Sequence, residues 1–212
     1  MPKLLLNSAG DQFFLPDSSQ FYYADLPGPK WLRYTPNTDH YQVQDLGSII
    51  MPSLSWLSDV LDEKQSPNLS WSRLSDGSIR VTTDRKPERV RLWKATNPKA
   101  RDFRLESIGA AWTSMELKES EDGVYIGQVN PPSQGWTAFT VEVTFPGSAL
   151  IPTPLESDQV FTTDVHVVPD TLPYKGTGCS CEACQPSWGG WRARLECMAI
   201  PSIIFYGELI KC

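Results

Sequence analysis

The alternation of apolar and polar positions changes period once along this chain. Residues 4–6 (Leu4-Leu5-Leu6) and 31–34 (Trp31-Leu32-Arg33-Tyr34) are short, nearly continuous apolar runs, each followed by turn-forming residues. Runs of this kind fit buried strands covered on both faces. Between them, Pro16-Asp17-Ser18-Ser19 reads as a helix start, residues 20–26 as a short helix, and Pro27-Gly28-Pro29 as its stop. From residue 44 to 63 the apolar positions Leu46, Ile49, Ile50, Leu54, Leu57, Val60 and Leu61 recur at three and four, which is one face of a helix. Pro52 interrupts that pattern and should kink the helix or move its start.

A polar segment ending in proline, residues 62–67, closes this part. Beyond it the period is two. Residues 79–83, 90–93, 112–117, 124–129, 139–145 and 160–168 all alternate, separated by Asp76-Gly77, Asp122-Gly123, Gln134-Gly135 and Pro146-Gly147. Short strands at this spacing over about a hundred residues predict an immunoglobulin-like β-sandwich. After Pro169 the pattern fails. Residues 170–212 show no sustained period and hold all 5 cysteines, which suggests an irregular tail foreign to the sandwich. The expected organisation is therefore an α/β segment over residues 1–66, an all-β sandwich over 68–169 and a tail over 170–212.

A net charge of −6 without a cluster of Lys and Arg argues against nucleic acid as a partner. No apolar run reaches the roughly 18–20 residues of a membrane span. The leading run stops at Asn7, short of the roughly 7–15 residues of a signal-peptide core, so no export signal is read. Asn68-Leu69-Ser70 is a glycosylation sequon that matters only in a secretory pathway.

The chemistry suggested by the pattern lies at the two strand ends. Asp11 follows the first apolar run and His40 follows the second, where open α/β sheets build their sites. Acyl transfer needs a nucleophile, a base to take its proton and a carboxylate to fix the base's tautomer. Asp11 fits the acid and His40 the base. In α/β-hydrolases the serine precedes both, yet no G-x-S-x-G occurs in this chain. Ser8 is too near Asp11 to serve as nucleophile in the usual geometry.

Asp11, Asp17, Asp39 and His40 could be read as a metal site, and Cys179, Cys181, Cys184 and Cys197 as zinc ligands. Neither spacing demands it, so no metal and no cofactor is expected. His166, in a strand whose other face carries Phe161, Thr163, Val165 and Val167, is expected to point with Asp164 to solvent. Trp93, Trp112 and Trp136 are candidate contact residues of the sandwich, with core packing the commoner fate of such side chains.

Four segments resemble one family. They are Leu6-Asn7-Ser8-Ala9-Gly10-Asp11-Gln12-Phe13-Phe14-Leu15-Pro16-Asp17-Ser18-Ser19, Leu32-Arg33-Tyr34-Thr35-Pro36-Asn37-Thr38-Asp39-His40, Trp93-Lys94-Ala95-Thr96-Asn97-Pro98-Lys99-Ala100-Arg101-Asp102-Phe103-Arg104 and Gln134-Gly135-Trp136-Thr137-Ala138-Phe139. They are similar to the PhoPQ-activated pathogenicity-related proteins, a branch of α/β-hydrolase-like proteins, over residues 2 to 169. Pro52 and the tail depart from the family pattern.

The resemblance implies a truncated carboxyl-terminal part of an α/β-hydrolase sheet followed by the sandwich, with Asp11 matching the family's candidate acid and His40 its candidate base. It also implies a nucleophile serine on an upstream portion, and a secreted or extracytoplasmic setting, since family members are typically exported. The expected function is a hydrolase-like fragment that is inactive alone and is completed by a protein partner or by the missing amino-terminal half. Its substrate is unknown. The alternative is a non-catalytic secreted binding or signalling module acting through the sandwich. A sheet cut short would also expose an edge and an apolar face.

Overall fold

In a computed structural model of the chain, residues 1–147 and 157–173 are described. The fold is rich in sheet and poor in helix. Its first layer is a parallel pair, β1 (Lys3–Ser8) and β2 (Lys30–Thr35), in register from Lys3 opposite Lys30 to Ser8 opposite Thr35. The connection between them is not the expected helix over 20–26. It is a 3-10 turn, Ser18–Phe21, followed by further turns. Ser and Asp compete with helix by bonding nearby backbone, and Pro27-Gly28-Pro29 leaves too few residues for a nucleus to propagate.

Helix α1 (Leu46–Leu61) fills the expected helical span and runs through Pro52. It packs on strand β10 (Gln159–Thr162): Gln159 Nε2 donates to Asp59 Oδ2 at 2.6 Å, and both residues are buried. On the opposite side Leu46, Ile50, Leu54, Leu57 and Leu61, spaced by four, four, three and four, stand exposed.

Two antiparallel sheets follow. One orders β3 (Leu69–Arg73), β4 (Ile79–Thr83), β8 (Val124–Gly127) and β7 (Glu119–Glu121). The other orders β10 (Gln159–Thr162), β9 (Trp136–Phe145), β5 (Arg89–Asn97) and β6 (Thr113–Glu116), with β11 (His166–Val168) also paired to β9. A one-turn helix, α2 (Leu105–Ile108), lies between β5 and β6.

Strand β9 organises this part. Its odd positions Phe139, Val141, Val143 and Phe145 join Ile79, Val81, Leu92 and Tyr125 in one core shared by the two sheets. The approach is close: a Cβ on Gly127 would lie 2.6 Å from Val141 Cγ2. The even positions Thr140, Glu142 and Thr144 are buried polar groups.

The alternating run 160–168 was expected to be one strand and is two. Between β10 and β11, Thr163 takes over the ladder with its side chain. Val141 N donates to Thr163 Oγ1 at 3.1 Å, and Thr140 Oγ1 donates to the Thr163 carbonyl at 3.0 Å. The break turns Asp164 and His166 inward, against the expected solvent exposure. Both are buried, with His166 Nε2 3.0 Å from Asp164 Oδ1 and the imidazole 6.1 Å from the Phe139 ring. Of the three tryptophans singled out above, Trp112 is buried, and Trp93 and Trp136 are partly buried against the core.

The parallel pair and the antiparallel sheets share their packing. Met1–Pro173 form one compact unit. Tyr34 N donates to Thr162 Oγ1 at 2.9 Å, and the Trp31 and Phe161 rings lie 6.3 Å apart. Trp31 Nε1 donates to the Pro67 carbonyl at 2.7 Å. Phe161 also touches the Phe145 ring, so it joins the two parts. Phe161→Ala is expected to cost about 3–5 kcal/mol. Urea unfolding followed by tryptophan fluorescence and by far-UV circular dichroism checks this. The two signals should move together to lower urea, and separate transitions would show that the parts unfold independently.

Candidate active site

β1 and β2 end side by side, and their parallel register carries the following loops to one place. Ser8 Oγ, almost fully buried, donates to the Thr38 carbonyl and accepts from Gly10 N at 3.1 Å. Thr38 Oγ1 donates to the Thr35 carbonyl at 2.9 Å and lies 3.0 Å from Ser8 Oγ. Ser8 is thus a tie between two loops, with its hydroxyl already committed. Gly10 has no room for a side chain, since a Cβ would lie 2.6 Å from the Thr38 carbonyl oxygen and 3.0 Å from Leu105 N.

That tie places Asp11 against His40. Asp11 Oδ2 lies 2.8 Å from His40 Nδ1. Asp11 Oδ1 accepts from Phe13 N at 2.7 Å and Phe14 N at 3.1 Å, closing a turn that fixes the carboxylate. His40 N donates to Gln12 Oε1 at 2.9 Å. The carboxylate side chain is 9% exposed and the imidazole 38% exposed, so the pair has a buried acid and an open base. An ionised carboxylate only accepts, so Nδ1 carries the proton and Nε2 is left as a basic nitrogen. Phe13 meets the imidazole edge-on at 4.9 Å, and Phe14 and Tyr41 lie at 5.9 and 5.6 Å. Phe13, Phe14 and Tyr41 are each at least 60% exposed, an apolar collar around a half-open base, and Leu15, next in sequence to Phe14, is equally exposed.

The other carboxylates of the region are used elsewhere. Asp17 pairs with Arg101 Nη2 at 2.5 Å, and Asp39 Oδ1 accepts from Tyr41 N and Gln42 N. Neither joins Asp11 and His40 in a shared ligand set. The cysteines considered for zinc lie outside the described residues.

The loop after β5 braces Asp11 from the side of the antiparallel sheets. Leu105 N donates to the Gly10 carbonyl at 2.9 Å, and Arg101 reaches Asp17. Asp102 holds this loop by accepting from Arg104 Nη2 and Ser107 Oγ, each at 2.7 Å. The bonds from Arg104 pull the Asp102 carboxyl below its ordinary value, down to about 2. Sequence reading missed this bracing. The one available signal was the run of alternating charge Arg101-Asp102-Phe103-Arg104.

Residues 1–104 match the family described as PhoPQ-activated pathogenicity-related protein. The chain is also 27% identical over 196 residues to autocrine proliferation repressor protein A of Dictyostelium discoideum, covering 82% of this chain and 39% of that protein. The chain thus spans about two fifths of the length of that curated relative. No solved structure matches.

Two outcomes test the geometry. Gly10→Ala should cost about 1–3 kcal/mol by forcing the backbones of Thr38 and Leu105 apart, read as a fall in the urea midpoint. A carboxyl held below its unfolded value adds stability above that value and loses it as pH falls toward the folded one. The Asp102 contribution should therefore be full above pH 3.8 and decline as pH approaches about 2. Asp102→Asn should lower the urea midpoint at neutral pH and narrow its gap to wild type across that acid window.

Proposed function

We propose that this chain, whose first 104 residues match the PhoPQ-activated pathogenicity-related family, supplies the acid and base of a serine-hydrolase-type acyl-transfer site. Asp11 is the acid and His40 the base. The nucleophilic hydroxyl comes from a polypeptide segment outside this sequence. The observation that carries the reading is the 2.8 Å contact between Asp11 Oδ2 and His40 Nδ1, with the acid buried and the base open. In such a site Nε2 takes the proton of the attacking hydroxyl and returns it to the leaving group, while the carboxylate steadies the imidazolium.

Three further observations support it. The acid follows one parallel strand and the histidine the next, as in the last strands of an α/β-hydrolase sheet. The outer edge of β1 has no partner strand among the described residues, and a parallel pair is ordinarily part of a larger covered sheet. The collar of Phe13, Phe14 and Tyr41 offers apolar surface that an acyl group or a covering segment would bury. The antiparallel sheets take the role of an immunoglobulin-like sandwich whose β5–α2 loop braces the acid. The setting that goes with this reading is secreted or extracytoplasmic.

A second reading has one observation in its favour. The Dictyostelium relative is named as an autocrine proliferation repressor, which points to a signalling module that does not need turnover.

The experiment is complementation. The chain alone should not turn over an activated ester. Adding a polypeptide that carries the family's G-x-S-x-G segment should produce turnover. Asp11→Asn should reduce that turnover by roughly 10³–10⁴-fold, and His40→Ala should abolish it. Turnover indifferent to both substitutions would overturn the hydrolase reading. Repression of proliferation by a His40→Ala chain would favour the signalling one.

A further inference from the structure

A second feature lies on the other side of β2 from its buried Leu32 and Tyr34. A cleft of about 560 Å³ is lined by Arg33 and Thr35 of β2, by Asp45 and Met51 at the start of α1, and by Arg91, Trp93 and Glu142 of the five-stranded sheet. Arg33 is 4% exposed, yet its Nε and Nη1 have no hydrogen-bond partner among the described residues. Two more polar atoms of residues lining the cleft share that condition among the described residues: Thr35 Oγ1 and Trp93 Nε1 are buried and unpartnered. Unsatisfied buried donors are costly and uncommon, and here they gather in one cleft.

The charges at the base of the cleft do not balance. Arg91 spends Nε and Nη2 on Glu142 Oε1, at 2.9 and 2.5 Å, and stacks on Trp93 with its guanidinium carbon 5.2 Å from the ring. Glu142 is buried in that pair. Among the described residues Arg33 has no carboxylate of its own, and burial holds its guanidinium below its ordinary value, against partial compensation from Glu142 and Asp45. The buried base therefore carries one surplus positive charge. The exposed rim is of the other sign, with Asp45 and Asp158 against Arg89.

We propose that this cleft is a binding site for a monoanionic carboxylate, held by Arg33 with Thr35 Oγ1 and Trp93 Nε1 as further donors. The planar donor fork of a guanidinium suits a carboxylate, and a single negative charge cancels the surplus. A phosphate, carrying about −1.5 to −2, would overshoot that surplus and meet the acidic rim. The site is read by binding alone, so it stands or falls apart from the acyl-transfer reading.

The test uses the full chain with acetate, benzoate, inorganic phosphate and chloride at matched ionic strength. The readouts are melting temperature and the ¹⁵N–¹H signal of Arg33 Nε, assigned by its loss in Arg33→Met. Both carboxylates should raise the melting temperature and shift that signal saturably, and chloride should do neither. Arg33→Met should weaken carboxylate binding by at least about tenfold, and Thr35→Val by roughly threefold. Without ligand, Arg33→Met should melt no lower than wild type, because it removes a desolvated charge. Should that variant fail to fold, Arg33→Lys keeps the charge, loses the fork and should still weaken binding. Absence of saturable carboxylate binding, equal binding by the Arg33 variants, or tighter binding of phosphate would each overturn the proposal.

Discussion

The parallel register of β1 and β2 is the constraint on which the rest depends. Because Ser8 stands opposite Thr35, the chain leaves both strands at the same height, and the two loops that follow must occupy one space. They share it through hydrogen bonds rather than apolar packing. The Ser8 hydroxyl and the Thr38 carbonyl and hydroxyl satisfy one another in a nearly dry site, and Gly10 keeps the backbones in contact. A shift of register by one residue would turn every side chain of β1 to the other face and carry Asp11 away from His40. The dyad is in this sense a consequence of strand pairing, with the side chains adding only the last contact.

The antiparallel sheets act as a brace for that pairing. A two-stranded parallel sheet has little stability by itself, and β2 gains its cover from β10 through Trp31, Tyr34, Phe161 and Thr162. On the far side the loop after β5 reaches back to the Gly10 carbonyl and to Asp17. The acid is thus held by three elements distant in sequence: its own strand, the β2 loop and the β5–α2 loop. Folding of the sheets and formation of the dyad are coupled, and damage at Phe161 or Asp102 would reach Asp11 through packing rather than chemistry.

Much of this was legible in the sequence where one strong signal acted alone. Continuous apolar runs gave β1 and β2, three-four spacing gave α1, and strict alternation gave β4 to its ends. The misses have two causes, exposed edge strands that carry no apolar pattern and a side chain that takes over a backbone role. β3, Leu-Ser-Trp-Ser-Arg, reads as polar because it is mostly exposed on one edge, and β7 is three exposed residues held only by β8. Thr163 breaks an alternating run by substituting its hydroxyl for a ladder acceptor, which no periodicity records, and so the burial of His166 was misread. Asp11 and His40 were legible as a pair because each follows a short apolar run and only 2 histidines were available. Arg33 was passed over because a lone charge in an apolar run looks like an ordinary strand residue facing water. Only the packing of Arg91, Trp93 and Glu142 above it shows that it does not.

β2 therefore carries two kinds of chemistry on one six-residue strand. Its end leads into the contact between His40 and the buried Asp11, and its middle holds a buried guanidinium under a sheet. The two make opposite demands on the environment. A base must remain open to accept a proton, whereas a buried guanidinium gains strength toward an anion as water is excluded. The fold meets both by changing cover along the strand. Arg33, Thr35 and Thr38 are all buried, and the cover ends after Thr38, leaving His40 half in solvent among exposed aromatic rings. A strand that lay flat on the sheet along its whole length would bury the histidine with the arginine. The turn through Pro36-Asn37-Thr38 carries the chain from that cover to His40, and paired bonds between Asn37 and the backbone of Trp112 fix it in place.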